Sequence, residues 1–253
     1  MAGAGMSVDS GLPDFRGDTG FWNAYPFAEK LGLSFADLAS PDMFETNPRL
    51  AWAFYGHRMN LYRETEPHDG YKKLLELCQG KEAGYFVFTS NVDGHFQKAG
   101  FDNQQIVECH GAINRLQCVE PCDQHTWSAL LTNITVEEES FSATNGMPTC
   151  NQCGGLARPN ILMFNDDKWI AEEAEQQKMR MYYWWQSVIN SQAKVAVIEL
   201  GAGTVIKTVR NQAETYAGYE NSSLIRINPR EYDVSAEQLS LPVSALSGIA
   251  LLK

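Results

Sequence analysis

A chain of 253 residues, 44% apolar and 20% charged, is long enough to bury a full core and reads as one large domain or one domain carrying a smaller module. The formal charge of −11 excludes a general nucleic-acid binder, which needs clustered Lys and Arg; it describes a solvated acidic surface. No apolar run reaches the roughly 18–20 residues of a membrane span, and no secretory pattern is present. The expected setting is therefore cytoplasmic, without a membrane partner.

The first stretch with chemical content is GAGMSVDSGLPDFRG, residues 3–17. Gly3, Gly5 and Ser7 match part of a G-x-G-x-x-G phosphate loop, with Val8 where its third glycine belongs. Pro13 stiffens the continuation and Asp14 adds a carboxylate. Phe15 can cover a planar ring, and the Arg16 guanidinium can clamp a phosphate through two parallel hydrogen bonds. The plain alternative is a tight turn with one surface salt bridge. Such a loop normally hangs from a buried strand, yet only Met1 and Ala2 precede it. A truncated start or a different numbering origin would explain this; otherwise the sheet is expected to lack a central strand or to fill the gap with other residues.

From Phe21 to Cys78 the pattern is helical: Leu50, Phe54, Leu61 and Tyr62 recur near a 3.6-residue period, and Pro48 suits an early helical position. Tyr55 and Arg58 lie three apart and share a face, so a phenol and a guanidinium stand ready for a carboxylate, or pack as core plus surface charge. YFVFTSNVDG (85–94) reads as a buried strand entering a polar loop. Its Asn91 and Asp93 can hold both ends of a carboxamide such as nicotinamide's, or form an Asx turn. IVECHG (106–111) reads as a second short strand. As a neutral imidazole, His110 at its end can take a proton from a hydroxyl; the alternative is a structural histidine. The adjacent Cys109 reads as a small buried apolar residue.

Regular patterning stops between Leu116 and Asn160. Cys118-x3-Cys122 and Cys150-x2-Cys153 there suit a tetrahedral four-thiolate zinc, with His125 a competing ligand. Such a zinc has no open position, so it is structural and staples a module too small to fold alone. Residues 171–193 read as a long helix, with the Tyr182–Trp185 run in the core. KVAVIELGAGT (194–204) and SLIRIN (223–228) read as strands ending in glycines and in Asn228. Strands alternating with helices indicate an α/β fold with a parallel sheet and ligands at its carboxyl ends.

Taken in order, GAGMSVDSGLPDFRG, TSNVDGHFQKAG, ECHG, the cysteine pairs, ARPNILMF, GAGT and IN resemble the sirtuin family of NAD-dependent protein deacylases over nearly the whole chain. The resemblance implies a Rossmann-like NAD-binding domain carrying a helical module (28–69) and a small zinc-binding module (116–158). NAD and an acylated lysine of a protein or peptide would meet in the cleft between. By motif, Ala4, Gly5, Ser7, Asp14, Phe15 and Arg16 resemble the cofactor loop, and Ser90, Asn91, Val92 and Asp93 the nicotinamide pocket. Gly201, Ala202, Gly203 and Asn228 resemble dinucleotide contacts. His110 resembles the general base, with Asn91 as its catalytic companion. Asn160, Ile161, Leu162, Met163 and Phe164 resemble the segment that pairs with substrate peptide as an extra strand.

The Tyr55-x-x-Arg58 pair matches the motif of the branch that favours succinyl and malonyl groups. The implied reaction releases nicotinamide, free lysine and O-acyl-ADP-ribose, and zinc takes no part in it. Competing readings are an NAD hydrolase, a protein ADP-ribosyltransferase and a non-catalytic NAD sensor. Three departures stand out. Ser90 replaces a Gln, Phe164-Asn165-Asp166 replaces Phe-Gly-Glu, and Gly201-Ala202-Gly203 replaces Gly-Thr-Ser with the loss of a hydroxyl near the phosphates. The first and third bear on nucleotide contacts, the second on peptide affinity.

Overall fold

The computed structural model describes residues 1–13, 17–137 and 139–253 and, at 17–19, the backbone alone. The gap left for a central strand is filled by Met1–Gly3 itself. Ala2 bridges Thr89 on one side and Leu200 on the other, both in parallel. Its amide donates to the Phe88 carbonyl at 2.9 Å, Gly3 N to Leu200 O at 2.9 Å, and the Met1 ammonium to Ile198 O at 2.9 Å. Three residues thus complete a ladder on both sides.

The chain then turns through α1 (Gly5–Val8) into a run of helices: α2 (Gly17–Ala24), α3 (Pro26–Leu31), α4 (Phe35–Leu38), α5 (Pro41–Thr46) and α6 (Pro48–Glu64). Proline opens α3, α5 and α6, where its missing N–H costs nothing. Ser34 and Asp37 form a reciprocal capping box on α4, and the Asn47 side chain accepts from Leu50 N at 3.2 Å to start α6. The expected apolar period holds: α6 buries Trp52, Phe54, Tyr55, Met59 and Tyr62. Arg58 is buried with them, so the reading of a surface charge is wrong. Next comes α7 (Asp69–Cys78).

The strands that follow are shorter than their apolar runs. β1 is Val87–Thr89 within the expected 85–94, followed by α8 (His95–Lys98), and β2 is Ile106–Glu108, ending before Cys109 and His110 turn. A second, antiparallel sheet is built from β3 (Gly111–Cys118), β4 (Trp127–Ser128) and, beyond the small β5 (Val136–Glu137) and β6 (Ser142–Ala143) hairpin, β7 (Ala157–Ile161). The chain closes with α9 (Glu172–Asn190), β8 (Val195–Leu200), α10 (Thr208–Ala217), β9 (Ser222–Ile227), β10 (Leu239–Leu241) and α11 (Ala245–Leu251).

β1 pairs with β2, and β8 with β9 and β9 with β10, all in parallel. Joined through Ala2, the sheet runs β2, β1, Met1–Gly3, β8, β9, β10. Numbered along the chain these positions read 3-2-1-4-5-6, the dinucleotide-binding order, whose crevice opens where positions 1 and 4 diverge. One sheet face is covered by Tyr71 and Leu74 of α7 and Ile249 of α11, the other by Met181 of α9 and Val209 of α10. A separate aromatic core joins α2–α6 to β3 and β6.

Tyr182 and Tyr183 depart from expectation, being 51% and 65% exposed. Four consecutive residues on a helix point all the way around it, and α9 turns Ala174, Gln177, Met181 and Val188 inward instead. Trp184 is held at the edge, its indole N–H donating to Ala83 O at 2.6 Å. Among the described residues no helix is long and apolar enough to cross a membrane.

Candidate active site at the switch point

At the switch point two backbones cross with no room for side chains. A Cβ on Gly5 would sit 2.8 Å from Gly201 Cα, and one on Gly201, itself at φ +59°, 2.4 Å from the Gly5 carbonyl carbon. Gly5 N donates to Gly201 O at 3.1 Å. These glycines therefore lock the opening loop onto the 201–203 loop as well as leaving a bare backbone rim. The exposed Ala4 lies on that rim. Asp14, Phe15 and Arg16, expected beside it, lie outside the described residues.

Ser7 gathers the polar residues. Its hydroxyl donates to Asp93 Oδ2 at 2.6 Å and accepts from Asn91 Nδ2 at 3.0 Å. With its one proton spent on Asp93, it must accept the third bond, from Tyr71 OH at 3.0 Å. Burial raises the Tyr71 phenol well above its ordinary pKa and keeps it a donor. Asp93 Oδ1 accepts the His95 amide at 2.9 Å, and Thr89 Oγ1 accepts the Asn91 amide at 3.0 Å while donating to Ala2 O at 3.0 Å. Val92 is buried between them, and the Ser90 amide donates to Ala2 O at 3.1 Å. Among the described residues the amide oxygen of Asn91 remains unengaged, so the pocket keeps an acceptor and a carboxylate edge for a ligand. Tyr71 and Thr89 carried no signal in the sequence, because Ser7 and Ala2, which tie them to the site, are distant along the chain.

On the other side of the crevice, Gly201 N donates to Ile227 O at 3.0 Å, and Asn228 Nδ2 to Ala202 O at 2.9 Å. Arg210 ties the same carbonyl, at 3.0 Å, to Glu231 O, at 2.7 Å, and so fixes Gly203 and the loop around it. A fully buried Glu199 pairs with Arg226 through bonds of 2.8 and 2.9 Å beneath this loop.

His110 follows β2 at the same sheet edge. Burial lowers its pKa, with the nearby Lys178 charge adding to the effect, so the ring stays neutral. Its carbonyl accepts Leu162 N at 2.9 Å, and Gly111, at φ +76°, lets Asn160 O approach within 2.1 Å of where a Cβ would be. His110 is thus set against the Asn160–Phe164 segment. Asn160, Ile161 and Met163 are buried while Leu162 is 38% exposed; Asn160 Nδ2 donates to Gln117 Oε1 and Ile170 O, and Phe164 N reaches Ala39 O. The Asn165-Asp166 departure is accommodated. Asn165 takes the left-handed conformation at φ +54°, which Asn tolerates, and Asp166 forms a buried two-point ion pair with Arg158 at 2.7 and 2.8 Å. Cys109 is buried as expected, its thiol pushed up to about 12 by desolvation.

Tyr55 and Arg58 do meet. The guanidinium lies 5.2 to 5.9 Å from the rings of Phe54, Tyr62, Tyr55 and Phe35, and its Nε donates to Tyr62 OH at 3.0 Å. Burial works against that charge, but Tyr62, Tyr55 and Tyr25 outweigh it and hold its pKa above the ordinary value. Burial likewise raises the Tyr55 phenol to about 12, and among the described residues its buried hydroxyl has no hydrogen-bond partner.

The four paired cysteines converge at the end of β3 and in the loop before β7. Their sulfur atoms lie within 4.8 Å of one another, with contacts of 3.6, 3.8 and 3.9 Å. These are too long for disulfides and match the roughly 3.8 Å edge of a tetrahedron with 2.3 Å zinc–sulfur bonds. Gln152 N and Gly155 N point at Cys150 and Cys153 sulfur at 3.4 Å. The residues fit zinc. His125 stacks on Trp127 and is not part of the cluster.

The Sir2 family model matches residues 3–182, more than two thirds of the chain. This chain belongs to the Sir2 family. An NAD-dependent protein deacylase of Thermococcus sibiricus is 30% identical over 93% of this chain and 81% of its own length. One of Aquifex aeolicus is 33% identical over 66% of this chain, and the match spans only 60% of that relative's length. A Sir2 homologue solved with NAD has the same fold, with a TM-score of 0.69, 24% identity and coverage of 98% of this chain and 84% of that one. That likeness extends over the crevice, the antiparallel sheet and the helices before β1 alike.

Proposed function

We propose that this Sir2 chain is an NAD-dependent protein lysine deacylase that favours acyl groups ending in a carboxylate, as succinyl and malonyl do. The observation that carries the NAD reading is the convergence of Ser7, Asn91 and Asp93 at a dinucleotide switch point, with a neutral His110 on the same edge. Bound NAD would supply an electrophilic ribose carbon and nicotinamide as leaving group. Asn91 and Asp93 would hold the carboxamide, the 3–7 and 201–203 loops with Asn228 the phosphates and riboses, and His110 would accept a ribose hydroxyl proton. The Asn160–Phe164 segment would pair with the substrate backbone. Zinc on Cys118, Cys122, Cys150 and Cys153 would hold the 116–158 module, and residues 28–69 would form the helical module. Free thiols at these positions favour a reducing, cytoplasmic setting.

The acyl preference rests on Tyr55, whose buried hydroxyl is a donor without an acceptor among the described residues, beside the Arg58 cation. A terminal carboxylate would accept from the hydroxyl and lie beside the cation. The test compares acetyl, succinyl and malonyl forms of one peptide, following nicotinamide and identifying the acyl product by mass. Arg58→Met should cut succinyl turnover by about ten- to a hundredfold, the worth of one charge-assisted bond, and leave acetyl turnover near wild type. Equal effects on both would remove the carboxylate clamp. Nicotinamide release at the same rate without acyl peptide would make the chain an NAD hydrolase instead.

A further inference from the structure

A second cavity, of about 780 Å³, lies between α3, the His57–Asn60 stretch of α6 and the β5–β6 hairpin. Its size falls within the range of small-molecule sites, roughly 300–1,000 Å³. Tyr25, Phe27 and Phe141 give it aromatic walls: Phe27 and Phe141 stack at 3.6 Å and 18°, and Tyr25 meets both edge-on at 5.9 and 5.8 Å. Phe141 stands at φ +42°, a left-handed conformation that an aromatic residue adopts at a cost of about 1–3 kcal/mol. What the strain achieves is the placement of that ring on the cavity wall. Asn60, Asn133 and Thr135 add polar groups, and Tyr25 OH and His57 Nδ1 lie 3.1 Å apart. Lys30 and His57 bring positive or protonatable groups from two helices; among the described lining residues Glu139 on the hairpin is the one acid.

We propose that this cavity is a second small-molecule site, taking a planar aromatic ring that carries an anionic group. The ring would lie on the half-buried Phe27 and the rim of Phe141, with Tyr25 behind them, and the anion toward Lys30. Arg58 does not line the cavity, and Tyr25 links the two places: it packs on Phe54 at 5.2 Å, the ring that carries the guanidinium, and it helps hold Arg58 charged. The site does not depend on the deacylase reading.

The experiment titrates the folded chain with 2-naphthoate by calorimetry under saturating ADP-ribose, with 2-naphthylmethanol as the neutral isostere. One naphthoate per chain should bind despite the ADP-ribose, and more tightly than the alcohol. The exposed Lys30→Gln should weaken it about two- to fivefold and Glu139→Gln tighten it by a similar factor, the range of a partly screened charge contact. Neither change should affect the alcohol. Phe141→Gly, which suits the backbone conformation and removes the wall, should abolish binding. Should Phe141→Gly fail to fold, the two charge variants still decide the matter. No binding, displacement by ADP-ribose, or an affinity indifferent to both charge changes would overturn the site.

Discussion

Asp166→Asn isolates one buried charge beneath the substrate segment. Arg158 and Asp166 are both fully buried, and the carboxylate holds four donors: the two Arg158 nitrogens at 2.7 and 2.8 Å, Met163 N at 3.2 Å and Lys168 N at 3.2 Å. Asparagine keeps the shape, removes the charge and turns one acceptor into a donor facing the guanidinium. Breaking one side of a buried pair leaves an uncompensated charge and costs about 3–5 kcal/mol. At about 2–4 °C per kcal/mol for a chain of this size, the thermal midpoint should fall by roughly 6–20 °C, read by circular dichroism or calorimetry. Arg158→Met with Asp166→Leu should recover most of the loss, because no lone charge remains. Since Asp166 anchors Met163, peptide KM should rise in Asp166→Asn more than the KM for NAD. A fall under about 2 °C would refute the argument, because a buried pair cannot be severed so cheaply.

His110 should act as a base to lower pH than an ordinary histidine, since burial favours its neutral form; the acid limb of nicotinamide release should have its midpoint below 6.5. The sign for stability is the same. With the folded pKa lowered, the unfolded chain takes up the proton first, so stability drops as pH falls below 6.5 and is unaffected above it. Lys178→Gln should move the kinetic midpoint upward, and no movement would remove that charge from the account. Ser7→Ala strands Asn91, Asp93 and Tyr71 together, so it should cost about 1–3 kcal/mol in thermal or denaturant unfolding and raise the KM for NAD; unchanged values on both would break the network argument. Elemental analysis should find one zinc per chain, and Cys150→Ser should lose it together with a large part of the thermal midpoint. A native chain free of zinc would refute the thiolate site.

Much of the architecture was legible because it is written locally. The 3.6-residue apolar stripe of α6, the proline at its first turn and the glycine or polar residue after each buried run are short-range signals, and each marks a real element. Paired cysteines were legible for the same reason, since two ligands of one metal are close in the chain as well as in space. Strand lengths were not, because an apolar run such as YFVF continues past the three residues that pair. Burial around α9 was not legible either: an aromatic run has no period, and the inward face is decided by what packs on it. Arg58 defeated the pattern in the opposite sense, because aromatic rings from α4 and α6 surround the cation and admit it to the core.

The opening loop shows most clearly where local reading ends. Gly3 and Gly5 look like a phosphate fingerprint missing its third glycine, and as a fingerprint the match is incomplete. The structure gives the same residues a second, sufficient reason to be glycine, the crossing with Gly201 and Ala202, whose backbones leave no space for a Cβ. That partner lies some two hundred residues away, so no motif centred on Gly5 could contain it. The same crossing lies at the end of the central strand position, which Met1–Gly3 occupies. Met1–Gly3 is paired on both sides, by Phe88 and Ser90 and by Ile198 and Leu200. An anion drawn into this crevice would therefore meet a rim whose shape is set jointly by two glycine loops. Altering Gly201, far from the fingerprint, should disturb the opening loop as much as altering Gly5 itself.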